Sequence, residues 1–113
     1  MVGQTLFHGV ILIPYIQQSD RDTLDYHIDY LSVAVLNSEN PEGEINYSIS
    51  RLLHKIMTQK GVNYKLLNSM IGVLECAKLE LYRRVATPYE DLKVLENGDV
   101  YSEIKDYKGD RID

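Results

Sequence analysis

The stretch YKLLNSMIGVLECAKLELYRRVA, residues 64–86, decides the fold class. Leu67, Met70, Ile71, Leu74, Ala77, Leu81 and Val85 recur at three- and four-residue steps, which lines one face of an α-helix. At α-helical pitch the stripe covers about six turns. Asn63 stands before it as a natural N-cap. Pro88 follows it, and the residue before a proline avoids the α region, so the helix is predicted to end there. Gly72 inside the stripe lowers helix propensity and leaves room for a close neighbour.

Two further helices precede this one. Residues 44–60 place Ile45, Ile49, Leu52, Leu53, Ile56 and Met57 at helical spacing, with Lys60 near the negative end and Gly61 as a stop. Residues 20–36 place Leu24, Ile28, Leu31 and Val35 on one face, with Tyr26, Asp29 and Tyr30 beside or opposite it. Ser19 is the expected N-cap, and Asp20 and Asp22 suit the positive end of the helix dipole. Residues 37–43 hold Asn, Ser, Pro and Gly and read as a loop.

The ends are less regular. Residues 1–13 read as an extended arm that Pro14 separates from the rest. Thr87-Pro88-Tyr89-Glu90 has the form of a capping box and predicts a short helix over 88–93. Asn97-Gly98 between short apolar-containing flanks predicts a hairpin turn. Residues 102–113 are dominated by charge and read as a mobile tail. The expected architecture is therefore mainly α. It is a compact three-helix bundle over 14–101, with a short extra helix and a C-terminal β-hairpin.

Bulk properties bound the function. A chain of 113 residues suits one domain, and 44% apolar with 26% charged residues is ordinary globular composition. A net charge of −5 argues against a general nucleic-acid coat or an anionic-membrane role. A single cysteine, Cys76, excludes an intrachain disulfide and fits a reducing cytoplasm. The longest apolar run, 10–13, is too short to span a membrane, and no Lys or Arg precedes Arg21, so a secretory signal is not expected. Nine tyrosines against one phenylalanine and no tryptophan suit half-buried sites and interfaces, or Tyr-for-Phe usage in a core.

Three constellations carry chemistry, each beside a plainer reading. Glu75, Lys78, Glu80, Tyr82, Arg83 and Arg84 form a charged helix face. Glu80 can pair with Arg83 at i+3 and Arg84 at i+4, as on any solvated face. Arginine planes flanked by Tyr82 and Tyr89 also suit phosphate binding and base stacking. Asn46 and Tyr47 with Arg51 and His54 lie along one helix, where Tyr47, Arg51 and His54 share a face; they read as surface residues or as a nucleotide-contacting face. Asn97, Asp99 and Tyr101 belong to a turn, or to a loop that closes over a ligand. His8, His27 and His54 have no ligand-like spacing, and no phosphate loop, dinucleotide fingerprint or nucleophile elbow occurs, so neither metal nor cofactor is expected.

Several stretches together resemble a known family. They are Ile13-Pro14-Tyr15-Ile16 with Asp20-Arg21, Gly43-Glu44-Ile45-Asn46-Tyr47, the run from Ile71 to Arg84, Pro88-Tyr89-Glu90-Asp91, and Glu96-Asn97-Gly98-Asp99-Val100-Tyr101. The family consists of small uncharacterised proteins of bacteriophages and bacteria, a domain of unknown function. The resemblance covers 14–101 and brings no activity with it. Its phage setting suggests an analogy, at the level of size and helicity, to sponges that sequester nucleotide second messengers of bacterial immunity.

The leading expectation is a non-enzymatic, cytoplasmic, homo-oligomeric protein that binds a cyclic-nucleotide or ADP-ribose type ligand. Arg51, Lys78, Arg83 and Arg84 would hold phosphates. Tyr47, Tyr82 and Tyr89 would line the pocket, and Asn97 and Asp99 would close it. The alternative is a module that inhibits or adapts a host protein through a helical face. A hydrolase using Glu75, Glu80 or Asp99 as base ranks last, because no nucleophile or metal set is visible.

Overall fold

The computed structural model describes residues 14–104. The expected N-terminal arm and most of the expected charged tail lie outside the described residues. Four α-helices follow in order: α1, Asp22–Leu36; α2, Pro41–Lys60; α3, Tyr64–Leu81; and α4, Thr87–Asn97. A 3₁₀ turn at Gln18–Asp20 leads into α1, a π-helical turn at Tyr82–Ala86 joins α3 to α4, and a 3₁₀ turn at Ser102–Ile104 follows α4.

The chain forms two compact units, Met1–Ala77 and Lys78–Asp113. In the first unit the loop between α1 and α2 is short, and the two helices pack against each other. Asn40, rather than a later residue, starts α2. Its Oδ1 accepts from the Gly43 N–H at 3.2 Å, and Pro41 at the first helical position gives up no needed donor. The expected loop 37–43 is thus shorter, and α2 begins three residues before the expected Glu44. Ser19 lies in the 3₁₀ turn instead of capping α1, which has Arg21 at its N-cap and no side-chain cap. The Arg21 guanidinium instead donates to the Ile16 carbonyl at 2.9 and 2.7 Å, holding the segment that precedes α1. At the start of α3, Asn63 Oδ1 accepts from the Leu66 N–H at 2.8 Å, the cap expected from the sequence. Gly61 closes α2 at φ 87°, a conformation that costs only glycine nothing.

The second unit departs most from expectation. The helix does not stop before Pro88. Leu81, Ala86 and Thr87 all keep right-handed helical dihedrals. The Thr87 N–H donates to the Tyr82 carbonyl, five residues back instead of four. A proline ring inside an α-helix collides with the carbonyl four residues earlier, here Arg84; the wider π turn relieves that collision. With Thr87 helical, the expected capping box is not formed, and α4 has no side-chain cap. The helix also runs past the expected Lys93 to Asn97.

Nor is there a β-hairpin among the described residues. Asn97 is the last residue of α4, and Gly98 at φ 95° is the residue that ends it. An Asn-Gly pair serves a helix end as well as a hairpin, and here Asn97 stays helical while Gly98 takes the positive φ.

No residue is buried among those described. The mainly α class therefore stands, while the closed core that a compact bundle requires is not found within the described residues. Large apolar side chains on every α-helix stay partly open to solvent.

Candidate functional site

The two apolar stripes read from the sequence meet between α1 and α2. Ile28, Leu31, Val35 and Leu36 from α1 and Ile45 and Ile49 from α2 line a groove of about 390 Å³, with Ser32 and Ser48 at its margin. The helical period puts each set on one side of its helix, and the short 37–40 connection turns α2 back along α1. The groove is open. Ile28, Leu31, Ile45 and Ile49 keep between 43 and 56% of their surface exposed. A monomer gains nothing by leaving such carbon in water. Ile28, Leu31, Val35, Ile45 and Ile49 are among the residues that the helical spacing placed on the apolar faces of the two helices; Leu36 was not among them.

Helix α2 also carries the Asn46 group. Tyr47, Arg51 and His54 are exposed on α2, with Tyr47 at 65%. Asn46 Oδ1 accepts from the Ser50 hydroxyl at 3.4 Å, a contact along its own helix. Glu75 is exposed on α3.

In the second unit the polar residues engage their neighbours along the chain. The Arg83 guanidinium lies 3.0 Å from both Glu80 carboxylate oxygens, the expected i, i+3 pair. The Glu80 side chain is 19% exposed and Arg83 65%. The Tyr82 hydroxyl donates to Glu90 Oε1 at 3.3 Å. Lys93, which the sequence reading did not single out, stands 5.4 Å from the centre of the Tyr89 ring and 3.2 Å from Glu96. Its i+4 spacing from Tyr89 is the signal that could have found it. Lys78 and Arg84 are exposed. Arg83 and Arg84 are adjacent in the π turn, so their Cα–Cβ bonds leave the backbone about 80–100° apart around the axis.

The residues expected to close over a ligand lie at the end of α4 and just beyond it. Asn97 belongs to α4. Asp99 Oδ1 accepts from the Tyr101 N–H at 2.8 Å, which fixes the turn into the following 3₁₀ segment. Tyr101 is 67% exposed.

The chain is small and helical, with an open apolar groove between α1 and α2 and a π turn that carries Tyr82, Arg83 and Arg84. Residues 13–100 match the family described as Domain of unknown function (DUF6899), and the chain belongs to that family. No curated protein and no solved structure matches it. No helix among the described residues is long and apolar enough to cross a membrane.

Proposed function

We propose that this chain is a non-enzymatic binding protein that acts by docking a helical protein partner. The observation that carries this reading is the open apolar groove between α1 and α2. A groove between two helices with an aliphatic floor takes an amphipathic helix, anchored by apolar residues at i, i+3 or i+4, and i+7. In a phage setting the partner would be a host protein that the chain inhibits or adapts, and a cytoplasmic location would suit that role. Docking there would cover the facing stripes of α1 and α2. The test is recovery of the tagged full chain from its host with a stoichiometric partner, followed by cross-link mapping. Cross-links must fall at the groove, and Ile49→Asp must abolish recovery while Arg83→Ala leaves it intact. A partner whose recovery survives Ile49→Asp removes the groove from the account.

A second reading is favoured by the π turn at Tyr82–Ala86, because π turns occur often at functional sites. In it, Arg83 or Arg84 holds a phosphate of a cyclic-nucleotide or ADP-ribose type ligand and Tyr82 or Tyr89 stacks on its base. A homo-oligomer would supply the remaining contacts from other copies. The ligand would be sequestered unchanged, as in a phage-encoded anti-defence sponge. Calorimetry against a panel of cyclic nucleotides and ADP-ribose derivatives tests it. Binding that is lost in Arg83→Ala or Arg84→Ala supports the reading, and no binding by the unaltered chain ends it.

A further inference from the structure

The groove between α1 and α2 is longer than its six aliphatic residues, and one sign of charge surrounds it. A second concavity of about 310 Å³ shares Ile28 with it and adds Tyr15, Ile16 and Leu24. Arg21 also lines this concavity, with its guanidinium held on the Ile16 carbonyl. From Leu24 to Leu36 the apolar floor runs about 18 Å at 1.5 Å rise per residue, the length of about three helical turns. Residues 22–50 hold six carboxylates, Asp22, Asp25, Asp29, Glu39, Glu42 and Glu44, and no Lys or Arg. All six are exposed, and none pairs with a Lys or Arg among the described residues. The first such cation of α2, Arg51, comes after Ile49, the last residue that lines the groove.

The carboxylates follow the margins. Asp25, Asp29, Ser32 and Leu36 stand at i, i+4, i+7 and i+11, one line along α1, and the last two line the groove. On α2, Glu44 stands one turn before Ser48, which lines the opposite margin. Ser32 donates its hydroxyl hydrogen to the Asp29 carbonyl at 2.8 Å, and Ser48 donates to the Glu44 carbonyl at 2.8 Å. These margin residues therefore offer acceptors and no free side-chain donor. The helix dipoles account for Asp22 and Asp25 in the first turn of α1 and for Glu44 in the first turn of α2. They do not account for Asp29, which lies beyond the first turn and repels Asp25 at i, i+4. We propose that the helix this groove takes is basic: an amphipathic segment of about three turns, apolar at i, i+4, i+7 and i+11, with Lys or Arg beside that stripe to reach Asp25, Asp29 and Glu44. This rests on the reading of the groove as a docking site and adds the chemistry of the partner. Lys and Arg bring donors and the opposite charge, and their carbon stems cover the apolar rim. An acidic helix would set carboxylate against carboxylate.

The test uses the full chain and three fluorescein-labelled helical peptides that share one leucine stripe and carry Lys, Gln or Glu beside it. Fluorescence anisotropy is expected to show the Lys peptide binding about tenfold more tightly than the Gln peptide, and the Glu peptide not binding. Asp25→Asn combined with Asp29→Asn should weaken the Lys peptide about three- to tenfold and leave the Gln peptide unchanged. Both sites are exposed and both changes are isosteric, so helical circular dichroism is expected to stay. Glu96→Gln combined with Glu103→Gln, the same charge change in the second unit, should leave all three peptides unchanged. An equal loss in that control would show attraction to net charge alone and overturn the proposal. So would a Gln or Glu peptide that binds as tightly as the Lys peptide. If that binding is lost in Ile49→Asp, the groove stands as a docking site and only the charge preference falls. Lys-peptide binding that survives Ile49→Asp removes the groove itself. Failure of all three peptides to bind overturns the proposal. An oligomer of the full chain that Ile49→Asp dissociates would put a second copy in the groove and overturn it as well.

Discussion

The Tyr82 hydroxyl reaches Glu90 at 3.3 Å across the π turn and past Pro88. In an uninterrupted α-helix, residues eight apart lie about 80° away from each other around the axis. The π turn holds one residue more per turn and returns Glu90 to the side of Tyr82. The proline, the wide turn and the hydrogen bond are therefore one device.

Pro88→Ala is expected to undo it. The alanine restores an N–H and removes the ring, so the α-helical ladder can close and stability should rise by about 1–3 kcal/mol. The Tyr82–Glu90 contact should then be lost. Tyr82→Phe is expected to cost less than about 1 kcal/mol in the unaltered chain, since the pair is exposed, and nothing in the Pro88→Ala background. Urea denaturation of the four proteins measures the coupling. Equal costs of Tyr82→Phe in both backgrounds would show that the turn does not set this contact.

The long helix, the stripes of α1 and α2, Gly61 and the Asn63 cap were legible in the sequence because each depends on local spacing or on one side chain and its nearest backbone. The passage through Pro88 was not, because the rule that ends helices before proline assumes an α ladder, and a π turn evades it. Asn97-Gly98 was misassigned for a similar reason: a positive φ serves a hairpin and a helix end alike. The site was less legible than the fold. A stripe read from the sequence cannot distinguish a covered face from an open one, and Ile28, Leu31, Ile45 and Ile49, read only as apolar faces, stand half exposed.

The two asparagine caps give a clean comparison. Asn63→Ala removes the acceptor for the Leu66 N–H and is expected to cost about 1 kcal/mol. Asn40→Ala should cost a similar or smaller amount, because its bond to the Gly43 N–H is longer, at 3.2 Å, and Pro41 leaves fewer donors in need of a partner. Asn63→Asp and Asn40→Asp should keep most of the stability, since a carboxylate also accepts and suits the helix dipole. Denaturant midpoints for the four variants decide this. A full loss in the aspartate variants would mean that the asparagines act through their NH₂ groups.

The Glu80–Arg83 pair separates the two functional readings. Its arginine is largely exposed, so Glu80→Gln should change stability by less than about 1 kcal/mol, with little response to salt. The same substitution leaves Arg83 without that carboxylate beside it. If a phosphorylated ligand uses Arg83, Glu80→Gln should tighten its binding in calorimetry while Arg83→Ala weakens it. If the chain works through the α1/α2 groove, neither substitution should alter partner recovery.

Gly98 ends α4 at φ 95° and ψ 151°, a backbone region open to glycine and strained for any side chain. A Cβ there would meet nothing within 4 Å, so substitution is opposed by the backbone alone. Gly98→Ala is therefore expected to cost about 1–3 kcal/mol locally, or to move the residue to negative φ and lose the Gly98 N–H bond to the Val94 carbonyl. Either response should fray the last turn of α4, raising amide exchange from Val94 to Gly98 while α1 and α2 keep their protection. D-alanine placed at the same position by chemical ligation favours positive φ and should restore the unaltered exchange rates. Fraying that persists with D-alanine would assign the effect to the added methyl rather than to the backbone.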